Sequence, residues 1–166
     1  MRSGCDNPGM GRARVVEMEP IGTVRSGRRE ASDDDWDTVK ASIGLDERRF
    51  GPEALLGLET FSHVEIIYLF DRVGADQVEM GARRPRGNQA WPEVGIFAQR
   101  ARGRPNRIGT TICQVLAVDG LNVSVRGLDA IDGTPVLDIK PWMPEFGPRG
   151  AIRRPAWSQE LMAGYW

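Results

Sequence analysis

The densest gathering of chemistry-bearing side chains lies between Arg83 and Arg107, where seven arginines meet a single acid, Glu93. A guanidinium offers planar, bidentate donors matched to phosphate and carboxylate. In Arg102-Gly103-Arg104-Pro105-Asn106-Arg107 the arginines alternate with Pro, Gly and Asn, a composition that exposes side chains on a stiff loop. Such a loop could hold phosphates or a carboxylate. With almost no aromatics interleaved, it suits contacts to a nucleic-acid backbone better than base stacking. The competing reading is ion pairing with Glu30 to Glu79, which carries thirteen acidic residues against four basic ones. Coding bias explains why 20 of the 22 basic residues are Arg, but it does not gather them.

Metal and nucleophilic chemistry have little to work with. Structural zinc needs about four Cys or His ligands, and the chain offers Cys5, Cys113 and His63. No metal site and no disulfide framework are expected. A Ser-His-Asp arrangement would have to use His63, which opens an apolar run and reads more simply as a hydrogen-bonded structural residue. With no apolar stretch near ~18 residues and no signal-peptide core, a cytoplasmic location is the expectation.

The elements that must position these residues read as strands. At 166 residues, 40% hydrophobic, 27% charged and net charge −1, the chain should fold as one domain, neither disordered nor uniformly basic. Residues 1–13 read as a disordered leader, 14–147 as the domain, and 148–166 as a C-terminal tail packed on or near it. Val15–Met18 and Ile21–Val24 suggest a first strand broken near Pro20. Residues 30–59 read as a long acidic loop with a short helix near 52–57. His63–Phe70 and Val94–Gln99 read as strands, and residues 110–118 and 121–128 flank Asp119-Gly120, a pair favoured in type I′ hairpins. A further turn precedes Val136–Ile139. About six short strands with little helix predict a mainly β, small single-domain β-barrel with short helices.

Four ordered blocks are recognisable. They are Gly57–His63, Val94–Arg100, Arg104–Gly109 and Leu128–Trp142, the last reading LDAIDGTPVLDIKPW. Over roughly residues 20–147 the chain resembles the TrmO family, also called YaeB-like or TsaA-like. The resemblance implies a β-barrel methyltransferase that uses S-adenosylmethionine without a Rossmann fold. Its implied acceptor is N6-threonylcarbamoyladenosine beside the anticodon of tRNA, methylated on N6. It also implies a homodimer with the cofactor near the subunit interface.

Carried over by position, the family's cofactor contacts fall on Asp71, Arg72, Arg100, Gly109, Thr110, Arg126, Gly127, Leu128 and Asp129. Arg100 would serve the cofactor's carboxylate and Asp129 its ribose hydroxyls or ammonium; their plainer reading is an ion pair on a barrel rim. Arg102, Arg104, Asn106 and Arg107 are the candidate tRNA contacts. Asp138 is the candidate base for the N6 proton, and Lys140 a candidate partner for the modification's carboxylate or a phosphate. A strand-end ion pair is the other reading of these two.

Three departures from the family stand out: Arg107 in place of Pro, Trp142 in place of Tyr, and an early loop rebuilt as Asp33-Asp34-Asp35-Trp36. Asp35 and Trp36 could hold the sulfonium and the methionine amine; alternatively the loop is solvated and Trp36 sits on the core. A non-catalytic S-adenosylmethionine- or RNA-binding module, or a methyltransferase with a different acceptor, are the alternative functions.

Overall fold

Inward-facing aliphatic side chains at every second position draw six strands around one core. The computed structural model describes residues 14–166; the expected leader over residues 1–13 lies outside them. The strands are β1 (Gly22–Ser26), β2 (Lys40–Leu45), β3 (His63–Leu69), β6 (Ile108–Asp119), β7 (Asn122–Arg126) and β8 (Pro135–Pro141). They pair in the order β1-β2-β7-β6-β3-β8 and close into a barrel, every pairing antiparallel. Two short strands, β4 (Ala82–Arg83) and β5 (Val94–Gly95), form a separate ribbon.

The period of two is cleanest in β3, where Val64, Ile66 and Tyr68 face the core. Val24, Ile43, Cys113, Val123, Val125 and Val136 meet them there, closed off by Leu128 and Ala130 from the loop after β7. Each fully buried Val or Ile contributes about 1.5–3 kcal/mol of transfer free energy, so this ring is the main cohesive force. Bulges shift the register beside Tyr68 on β3–β8 and beside Leu116 on β6–β7, which is how a short sheet bends shut.

The structure departs from the sequence expectation in several places. Val15–Met18 form no strand and are exposed, and β1 begins only at Gly22. The 30–59 segment is not all loop: it supplies β2, whose only fully inward residues are Ala41 and Ile43. That apolar signal is too thin to read among acidic neighbours. The strand expected over Val94–Gln99 lasts two residues before turning into a 3-10 helix, Ile96–Ala98. Gln99 explains the turn, because its buried amide donates to the carbonyls of Arg83 and Val94, both at 3.0 Å. In the β6–β7 hairpin Asp119 pairs with Asn122, so Gly120 and Leu121 are the central residues. Only Gly120 has positive φ (55°), the pattern of a type II′ turn instead of type I′.

The C-terminal segment folds back over the barrel. A short helix, α1 (Ala156–Leu161), brings Trp157 against Trp91, and Glu160 accepts the Trp91 indole N–H at 2.7 Å. Beyond it, the carbonyls of Gly164 and Tyr165 accept the backbone N–H groups of Asp35 and Trp36 at 3.0 and 2.9 Å. The early acidic loop and the C-terminal segment are thereby stitched together.

Gly109 sets how closely β6 can approach β3. A Cβ there would lie 2.4 Å from Cε2 and 2.6 Å from Cζ of the buried Tyr68 ring. Gly109→Ala should therefore lower stability by roughly 1–3 kcal/mol through overpacking. A urea denaturation checks this: the midpoint should fall while the slope stays the same.

Candidate functional site

After β7, Gly127 turns the chain with φ 81°, and its N–H donates to the Val39 carbonyl at 2.9 Å. Leu128 and Ala130 then bury on either side of Asp129. This alternation anchors the backbone and leaves the Asp129 carboxylate at the barrel mouth. Three hydroxyls converge on it. The Tyr68 phenol donates to Oδ1 at 2.5 Å, Thr111 Oγ1 donates to the same oxygen, and the Tyr165 phenol donates to Oδ2. Tyr68 comes from β3, Thr111 from β6 and Tyr165 from the C-terminal segment, so the site depends on three distant parts of the chain. Asp129 forms no ion pair among the described residues.

Burial, reinforced by the negative charge of Asp129, holds the Tyr68 phenol far above the usual tyrosine range. The same two causes raise Tyr165, where the positive charge of Arg100 works in the opposite direction. Burial followed by Asp129 also raises the Cys113 thiol, which makes it an inert core residue. Sequence reasoning reached Asp129 through the family resemblance and missed all three hydroxyl partners. Tyr68 had a readable signal, since a phenol at an inward strand position needs a partner; Tyr165 had none.

The other candidate cofactor residues scatter around this centre. Arg100 donates to the Thr110 carbonyl at 2.6 Å, and Thr110 Oγ1 donates to Glu65 at 2.7 Å. Gly109 lies under the Tyr68 ring. Arg126 pairs with Asp37 at 2.9 Å. Asp71 is exposed at the end of β3, and Arg72 ties the carbonyls of Arg29 and Asp132 together at 3.2 and 2.8 Å. Trp36 is buried, and the cation on its ring is Arg28, 3.7 Å from the centroid. Arg28 also donates to the Asp34 and Asp35 carbonyls, which pins Asp35 in a left-handed turn at φ 63°.

Asp138 and Lys140 form an ion pair with Nζ 2.5 Å from Oδ2, and the carboxylate raises the Lys140 ammonium above its ordinary value. In the register Asp138 sits opposite Ile67 and Lys140 opposite Glu65, the outward positions of β3. Tyr68 and Asp129 are on the inner side, so the structure does not bring these two sets together within the chain.

The basic segment divides. Arg86 pairs with the acidic loop, at 3.6 Å from Asp33 and 2.7 Å from Asp34. Arg107, at φ 53°, donates inward to the Val73 carbonyl at 2.8 Å and acts as a brace. Arg102 and Asn106 are exposed, Arg104 is half-buried, and none of the three side chains forms a hydrogen bond or ion pair among the described residues. No group of three His, Cys, Asp or Glu among the described residues is placed to hold a metal ion, and none of the described helices is long and apolar enough to cross a membrane.

Comparison with known proteins adds a second line of observation. The sequence profile of the tRNA-methyltransferase O N-terminal domain matches residues 32–147. A tRNA (adenine(37)-N6)-methyltransferase of Mus musculus is 43% identical over 93 residues, which are 56% of this chain and 21% of that protein. A "Probable S-adenosyl-L-methionine-binding protein" of Pyrococcus abyssi is 37% identical over 151 residues, 84% of this chain and 74% of that one. A crystal structure of TrmO from Pseudomonas aeruginosa superposes with a TM-score of 0.67 at 30% identity, covering 84% of this chain and 62% of that one. The chain thus spans only about a fifth of the length of the mouse protein.

Tyr68 and Tyr165 are the only tyrosines in the sequence, which makes the site directly observable. Both hold their protons more firmly folded than unfolded. Their stabilising contribution is therefore complete below pH ~10, where an unfolded tyrosine titrates, and is lost as pH rises beyond it. In an absorbance titration at 295 nm, no tyrosinate should appear near pH ~10 until the protein unfolds. Asp129→Asn should bring the onset down, though burial keeps it above that of free tyrosine.

Proposed function

The chain belongs to the tRNA-methyltransferase O N-terminal domain family, and from that membership we propose that it binds S-adenosylmethionine at the Asp129 end of the barrel and methylates N6 of N6-threonylcarbamoyladenosine in tRNA. The observation that carries this reading is the environment of Asp129, a carboxylate whose only side-chain partners among the described residues are hydroxyls. A ribose diol presents the same donors, and the Tyr165 hydroxyl occupies the outer oxygen that such a diol would use. When bound, S-adenosylmethionine supplies an electrophilic methyl group on a sulfonium.

The chain's own residues supply alignment and shelter. Asp129, steadied by Tyr68 and Thr111, accepts from the ribose hydroxyls. Arg100 spends one N–H on the Thr110 carbonyl and keeps others for a carboxylate. Holding donor and acceptor in line while excluding water is what a methyl displacement requires of a protein.

Proton removal from the acceptor nitrogen needs a base, and Asp138 is the proposed one. Asp138 faces outward beside Ile67, whereas Asp129 is bonded to the inward Tyr68, and the reading is that two copies of the chain contribute one each to a reacting centre. A homodimer is the arrangement this reading calls for. The second reading, a module that binds S-adenosylmethionine without transferring its methyl group, is favoured by the Tyr165 hydroxyl already lodged on Asp129.

Titration calorimetry with S-adenosylmethionine and nucleoside mass spectrometry of incubated tRNA separate these readings. Asp129→Asn should weaken cofactor binding roughly ten- to a hundredfold, the worth of a hydrogen bond to a charged group. Unchanged affinity would move the cofactor elsewhere, and binding without methylated nucleoside would select the non-catalytic module. For the shared centre, at S-adenosylmethionine concentrations below the wild-type Kd, Asp129→Asn and Asp138→Asn should each lose most transfer alone, and mixing the two should restore part of it. If mixing restores nothing although the variants exchange subunits, the two residues do not share a centre.

A further inference from the structure

The barrel's outer surface is divided chemically. On the β3–β6–β8 side the outward positions include Glu65, Asp138, Ile67 and Ile112, and the cation there, Lys140, is paired with Asp138. On the β1–β2–β7 side the register sets Arg25 beside Ser42 and Ser42 beside Ser124, while Lys40 stands beside Arg126. The remaining outward positions of those paired rows are Thr23, Gly44 and Asn122. Three strands thus present cations, hydroxyls, an amide and glycine, with no acid among them, in a chain whose net charge is −1. A groove of about 590 Å³ runs over this face, lined by Arg25, Arg29, Lys40, Ser42, Ser124 and Asp132.

The cations differ in how committed they are. Arg126 is paired with Asp37, and Arg29 approaches Asp132 at 4.0 Å. Arg25 contacts only the neutral Asn122 side chain, at 3.5 Å, and neither Arg25 nor Lys40 is ion-paired among the described residues. Lys40 is one of only two lysines in the sequence. Neighbouring strands are ~4.8 Å apart and alternate residues ~7 Å apart, so unpaired cations and hydroxyls form a fixed lattice over which a strand of phosphates can run. Phosphodiester backbones are gripped by this mixture of Arg or Lys with Ser, Thr and Asn, and the lack of exposed aromatics on the face excludes base stacking as its main role.

We propose that the outer face of β1, β2 and β7 docks an RNA phosphodiester backbone through Arg25 and Lys40, with the serine hydroxyls completing the contacts. This rests on the reading that tRNA is the methyl acceptor, and it assigns backbone positioning to the barrel wall in addition to the Arg102–Arg107 loop. Neither Arg25 nor Lys40 belongs to the cofactor site.

Fluorescence anisotropy with a labelled tRNA transcript over a series of salt concentrations tests it. Each phosphate contact contributes ~0.7–0.9 to the slope of log affinity against log salt, between the single-strand and duplex values. Arg25→Gln/Lys40→Gln should therefore flatten the slope by about 1.4–1.8 and weaken binding at least tenfold at ~0.1 M salt. Calorimetric binding of S-adenosylmethionine and the thermal midpoint should be unchanged, which shows that the variant is folded. If the double variant keeps the affinity and slope of the wild type, the docking face is wrong while the tRNA reading stands. If the wild type binds S-adenosylmethionine but no RNA, both fall. Loss of binding to phosphatidylserine vesicles with tRNA binding intact would overturn the proposal in favour of a membrane surface.

Discussion

The Asp129 end of this barrel is arranged around a carboxylate that has no ion-pair partner among the described residues. Asp129 is held between two buried residues, so its side chain cannot swing freely into bulk water. Leaving such a group without donors costs more than the ~1–3 kcal/mol of an ordinary unsatisfied polar atom. The fold answers with three hydroxyls drawn from β3, β6 and the C-terminal segment. Other features follow as conditions of that answer. Gly109 must be small so that Tyr68 can lie flat enough to reach the carboxylate, and the C-terminal segment must pair with Asp35 and Trp36 to deliver Tyr165.

The early acidic loop takes its role from this arrangement. Its backbone receives the C-terminal segment, its carboxylates hold Arg86, and its indole carries Arg28. Exposed ion pairs of this kind each contribute little on their own. A guanidinium stacked on a buried ring and tied to two carbonyls is a firmer fastening, because it fixes both side chain and backbone. The acidity that makes the loop look solvated in the sequence is largely engaged with the chain's own arginines.

What was legible in the sequence follows from how local each signal is. β3 and the β6–β7 hairpin could be read because β-branched and aromatic residues crowd one continuous apolar run, and a glycine-containing turn separates two further apolar runs. β2 escaped because two inward residues, one of them alanine, do not make a period. The short run at Ile96–Ala98 read as a strand because its apolar content does not reveal a helix one turn long. Asp129 was found by likeness to a family, whereas its link to Tyr165 spans 36 residues and leaves no local trace. The charge count located the basic segment but could not divide it, since pairing of Arg86 with Asp34 crosses 52 residues.

The ring of six strands closes on itself, and that closure limits the kinds of company the molecule can keep. An open sheet can accept a visiting strand along its rim, letting backbone hydrogen bonds do the recognising with little regard to sequence. Here each of the six main strands has a neighbour on both sides, and such a rim is confined to stretches where a neighbour runs short, as at residues 138–141 of β8 beside β1. Elsewhere, what meets the barrel wall must be recognised by side chains that stand out from it, so selectivity is written in the outward-facing residue at every second position. Changing that code need not disturb the inward-facing alternates, which leaves recognition free to diverge while the core stays fixed.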